Sequence, residues 1–103
     1  MPTKAEPKTA CRTPAKGRDG VTNIPTWKFD LLHAAILASV RAAGSEGLAF
    51  KDLKDAVRPK IAAKDLDRLG SLGWHVTCVK LEMEVAGDIA RLNGISPQRI
   101  VIA

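Results

Sequence analysis

The apolar residues of WKFDLLHAAILASVRAAG, residues 27–44, recur as Phe29, Leu32, Ile36, Val40 and Ala43. That spacing makes one stripe along an amphipathic helix, with Thr26 as its N-cap and Gly44 and Gly47 ending it and turning the chain. LAF, residues 48–50, is long enough for a minimal strand, and KDLKDAV then predicts a brief second helix with Leu53, Ala56 and Val57 inward. Pro59 suits the first turn of a further helix, PKIAAKDLDRLG, because its missing N–H has no partner to lose there. Ala62, Leu66 and Leu69 form that helix's apolar face, and the glycines of GSLGW break it. Past Gly87 the helical period gives way to strands, DIAR and RIVIA, joined through Asn93-Gly94, a hairpin signal that Pro97 lengthens into a wider loop.

The stretch WHVTCVKLEMEVAG, residues 74–87, predicts a helix with two apolar sides. At about 100° per residue, Leu72, Val76, Val79, Met83 and Ala86 share one side and suit a core. Trp74, Cys78, Leu81 and Val85 fall on the opposite side, and leaving them in water would forgo on the order of 5 kcal/mol of burial. Something is expected to cover them. The helix of residues 59–70 is one candidate, a second protein or second copy is another, and a small molecule beside Trp74 is a third.

Residues 1–25 hold four prolines and few large apolar groups, too little to offset the entropy of ordering, so the composition predicts a disordered arm ahead of a folded domain over 26–103. The net charge is +5, and most of the excess lies in this arm, where Lys4, Lys8, Arg12, Lys16 and Arg18 face only Glu6 and Asp19. No apolar run is long enough to span a membrane, and the basic N-terminus lacks the apolar stretch of a secretory signal. Cys11 and Cys78 sit in contrasting contexts, one in the arm and one in a helix, so no disulfide between them is expected. The chain reads as cytoplasmic.

Three stretches together resemble the winged-helix family, a winged helix-turn-helix fold: GLAFKDLKDAV as turn, strand and second helix, VKLEMEVAGDIAR as the third helix entering the wing, and NGISPQRIVIA as the wing. The run Trp-His-x-Thr-x-Val-Lys-Leu-x-Met-Glu is also similar to that of small uncharacterised bacterial winged-helix proteins. The resemblance implies a mainly α fold with a small β-hairpin wing, carrying here an extra short helix around residues 59–70.

DNA-binding members of that family place Arg, Asn, Gln, Ser or Lys on the outward side of the third helix, where they meet base edges. Trp74, Cys78, Leu81 and Val85 offer almost no hydrogen bonds, and Lys80 is outnumbered by Glu82 and Glu84, so direct base reading is disfavoured. Phosphate contacts are the alternative, from Lys51, Lys54, Arg58, Lys60 and Lys64 around the second helix and its extension and from Arg91 and Arg99 flanking the wing. His33 and His75 have no ligand-like neighbours at metal spacing. The carboxylates interleave with basic residues as on solvated helix faces. No nucleophile set, phosphate-cradling loop or metal motif is present in the sequence, and no cofactor is expected. The expectation is a non-enzymatic protein that associates non-specifically with duplex DNA. The alternative is a protein-interaction module, as a homodimer or with another protein, working through Trp74, Cys78, Leu81 and Val85.

Overall fold

The computed structural model describes residues 7–13, 17–92 and 98–103. Among these residues the chain is mainly helical, with two small antiparallel sheets. Strands β1 (Lys8–Thr13) and β2 (Gly17–Pro25) pair with each other. Helix α1 (Thr26–Ala43), strand β3 (Leu48–Ala49) and helix α2 (Phe50–Val57) follow. A tight turn at Arg58–Lys60 leads to α3 (Ala63–Leu69) and α4 (Leu72–Ala86). Strands β4 (Ile89–Arg91) and β5 (Arg99–Ile102) close the second sheet, whose order is β3-β5-β4.

Periodicity places the core where the helical stripes meet. Leu32, Ile36 and Val40 of α1, Leu53 and Val57 of α2, and Val76, Val79 and Met83 of α4 are all buried, with Ile89 and Ile100 contributed by the sheet. Gly44 caps α1 at φ 68°, and Gly47, at φ 80°, follows the turn that brings β3 against β5. Helix α4 starts with Ser71, whose hydroxyl accepts from the Trp74 N–H at 3.2 Å, and stops at Gly87 in the left-handed conformation.

Within the stretch predicted as a disordered arm, residues 8–13 and 17–25 form the β1–β2 hairpin, while residues 1–6 and 14–16 lie outside the described residues. Pro7 and Pro25 do not oppose pairing, because Pro7 precedes β1 and Pro25 ends β2, positions where the missing N–H breaks no ladder bond. Alternation does the rest: Cys11 and Ile24 point inward at 1% and 2% exposure, while Ala10 and Arg12 face outward. The hairpin is tied to the start of α1, where the Thr26 N–H donates to the Pro7 carbonyl at 2.8 Å and the Thr9 and Thr26 hydroxyls bond at 2.9 Å. Thr26 is accordingly the first residue of α1 and not its cap.

The single helix expected over 59–70 is also divided. Ile61 is extended and buried, Ala62 is exposed, and only seven residues beyond form a helix. Helix α3 lies against the start of α1: the Lys28 ammonium donates to the Leu69 carbonyl at 3.2 Å, and the Arg68 guanidinium lies 4.4 Å from the Trp27 ring centre. Ala86, placed on the core stripe by periodicity, is exposed at the helix end. The Asn93-Gly94 turn and Pro97 lie outside the described residues.

A Cβ at position 47 would lie 3.0 Å from the Ile100 carbonyl oxygen, whereas one at position 44 meets nothing. Both backbones have positive φ, so each Gly→Ala change is expected to cost about 1–3 kcal/mol, with Gly47→Ala the costlier of the two because it also pushes β3 from β5. Urea unfolding of the two variants checks the order.

Candidate functional site

The outward side of α4 is where the sequence leaves its question, and the structure brings hairpin, helix and a groove together there. Strand β1 packs along α4. The Arg12 backbone N–H donates to Glu82 Oε1 at 2.8 Å, its Nε to the same oxygen at 2.9 Å, and its Nη2 to Oε2 at 2.5 Å. One turn before Glu82, Cys78 packs against the buried cluster to which Cys11 of β1 belongs. The hairpin therefore covers the middle of the second apolar stripe, which none of the three expected candidates did. Cys78 and Leu81 are half-buried, while the stripe's ends stay in solvent, Trp74 at 51% and Val85 at 37% exposure.

Beside the hairpin runs an open groove of about 390 Å³, lined by Thr22, Gly73, Trp74, Thr77, Cys78 and Leu81. Trp74 stands at its edge, with the His75 ring against it edge-on at 4.8 Å. His75 Nδ1 contacts the Ser71 carbonyl at 2.6 Å, so this histidine is spent on the helix start. His33 pairs with Asp88 at 3.1 Å, fastening α1 to the turn between α4 and β4.

Electrostatics separates the two flanks of α4. Glu82 is 7% exposed, and Arg12 holds its carboxyl below the usual carboxylate range through hydrogen bonds, against the opposing pull of burial. On the other flank Lys80 is 2% exposed, contacts Glu84, donates to Gln98 Oε1 at 2.7 Å and lies 4.5 Å from the Phe50 ring centre. Burial lowers the Lys80 pKa despite the Glu84 partner. Arg91 Nε meets the second Glu84 oxygen at 2.8 Å. Glu82 and Glu84, taken from the sequence as members of solvated faces, are thus largely enclosed ion-pair partners. The pattern missed them because spacing shows which groups share a face and not what lies over it.

The basic positions divide in the same way. Lys51, Lys54, Arg58, Lys60 and Lys64 are exposed and make no ion pair among the described residues. Arg91 is held by Glu84. Arg99 donates to the carbonyls of Glu46 and Gly47 at 2.9 and 3.0 Å, which closes the turn before β3. Burial pushes the Cys11 thiol up to about 12 and raises Cys78 as well. Among the described residues no group of three or more His, Cys, Asp or Glu is placed to hold a metal, and no helix is long and apolar enough to cross a membrane.

The model of DUF6958, a family of unknown function, matches residues 8–100, the hairpin included. The chain belongs to this family. No curated protein and no solved structure matches it. The DUF6958 match runs from β1 into β5, so the hairpin and the helix it covers lie within one family unit.

The Arg12–Glu82 pair gives a pH dependence of known sign. The folded-state pKa of Glu82 lies below its unfolded value, so the stabilisation is present above that unfolded value, about 4.3, and is lost as pH falls through the folded pKa. Glu82→Gln is expected to flatten the loss of Tm on acidification below about pH 4.5. It is also expected to increase amide exchange in residues 9–12 at neutral pH. Thermal melts across pH and hydrogen exchange test both.

Proposed function

We propose that the chain is a winged-helix domain that acts without catalysis as a protein-interaction module, binding a second copy of itself through the Trp74 end of α4. The winged-helix reading is supported by the order helix, short strand, three helices and two strands from α1 to β5, with the first short strand paired to the last. The interaction reading rests on one observation. The hairpin sits on the side of α4 that would otherwise enter a DNA groove, and beside it a half-exposed Trp74 borders an open, partly apolar groove. A large aromatic in such a place is the usual anchor of a protein contact.

A second reading, contact with DNA phosphates, draws on the exposed Lys51, Lys54, Arg58, Lys60 and Lys64. It is weaker because Asp52, Asp55, Asp65 and Asp67 interleave with them, and because Arg91, Arg99 and Arg12 are already engaged.

Sedimentation of the chain over a concentration series, beside duplex-DNA anisotropy over a salt series, separates the readings. The expected result is reversible self-association, weakened about 30-fold by Trp74→Ala and abolished by Leu81→Glu, with no salt-dependent DNA binding. A strict monomer overturns the proposal. DNA binding that falls steeply with salt and is weakened by Lys54→Ala would establish the phosphate reading.

A further inference from the structure

Two cysteines separated by most of the folded chain meet at the contact between β1 and α4. Cys11 is 1% exposed and points from the hairpin into the core, and Cys78 lines the groove beside Trp74. Both are free thiols, and Cys78 packs against the buried cluster that contains Cys11. Two further observations bring Cys11 to Cys78: its neighbour Arg12 is bound through backbone and side chain to Glu82, one turn beyond Cys78, and its register partner Thr22 lines the same groove.

We propose that Cys11 and Cys78 are a redox modification site, converted by a peroxide to a disulfide that locks the hairpin onto α4. The groove gives a small peroxide a path to Cys78 and none to Cys11, which assigns their order. Cys78, as its thiolate, attacks the peroxide O–O bond, becoming a sulfenic acid while the leaving oxygen departs as hydroxide and takes up the proton Cys78 gave up, as water. Cys11 sulfur then attacks the Cys78 sulfur, the S–O bond breaks, and the departing hydroxide leaves as water with the Cys11 proton. The two thiols lose two electrons and the peroxide is reduced to two waters.

Burial raises both thiols above the ordinary range, so the reduced pair is unreactive toward weak oxidants and the site responds to strong exposure. The enforced proximity of the second thiol makes the closing step fast once the first has occurred. The disulfide is the reversible product, and it forestalls further oxidation of Cys78 to sulfinic acid.

The test uses the full chain and hydrogen peroxide, read by intact mass, free-thiol titration after denaturation, and peptide mapping. The expected product has lost two hydrogens, carries no free thiol, remains a single chain, and maps to a Cys11–Cys78 link. Its Tm rises by about 10 °C or more, because the link closes a long loop, and a thiol reductant reverses the rise. In Cys11→Ser, Cys78 stops at the sulfenic acid and is trapped by a dione reagent. In Cys78→Ser, which changes only the half-exposed position, Cys11 stays reduced at the same exposure. Oxygen added to Cys78 in the wild-type chain without a link, chains joined to one another through disulfides, or thiols that persist while the denatured chain oxidises would each overturn the proposal.

Discussion

Glu82 sets the terms for the rest of α4. A carboxylate enclosed against a helix is costly unless its oxygens are matched by donors. Here one residue of another element supplies all three, with a backbone N–H and two guanidinium N–H groups from Arg12. The guanidinium fork and the strand amide fix direction as well as distance. One pairing therefore determines where β1 lies, which way its Cys11 points and which part of the second apolar stripe is covered. An apolar residue at position 82 would leave the hairpin tied to Thr26 at the start of α1 but held along α4 by apolar contacts alone, which specify no register along a helix.

The opposite flank is organised by a second enclosed charge. Lys80 reaches under the edge of the second sheet to Gln98 and the Phe50 ring, while Glu84 holds Lys80 and Arg91 together. α4 thus has apolar packing toward α1 and α2, a charged tie to the hairpin on one side and a charged tie to the sheet on the other. Enclosed ion pairs contribute less to net stability than their number suggests, and what they supply here is position. The covered side carries no group able to read a base edge, which follows directly from what has been used to attach the two flanking elements.

Helical periodicity was the reliable guide in this chain. The stripes of α1 and α2, the start of the core stripe on α4, and the switch to strands after Gly87 are all found in the structure. Composition misled over residues 8–13 and 17–25: the proline count suggested disorder, yet Pro7 and Pro25 stand at strand ends, and the alternation Thr9–Cys11 and Thr22–Ile24 was the signal to follow. The stretch after Pro59 failed for a different reason. Ile61 breaks the helical period by turning inward as an extended residue, and only its tertiary neighbours settle that. The two-sided pattern of α4 located the site, but the covering element could not be named from local spacing, since Arg12 and Glu82 are separated by 70 positions.

That separation has a consequence for the order in which the chain acquires its shape. Ribosomes extend a polypeptide at about 5–20 residues per second, so β1 leaves the synthetic machinery several seconds before the helix that receives it. In that interval Cys11 and Ile24 have no core to enter, and a two-stranded ribbon alone is marginal in water. The hairpin, made before α4, is therefore among the last elements to dock, after α1, α2 and α4 have formed a surface for it. Its attachment is a long-range closure whose rate is set by loop entropy more than by local propensity.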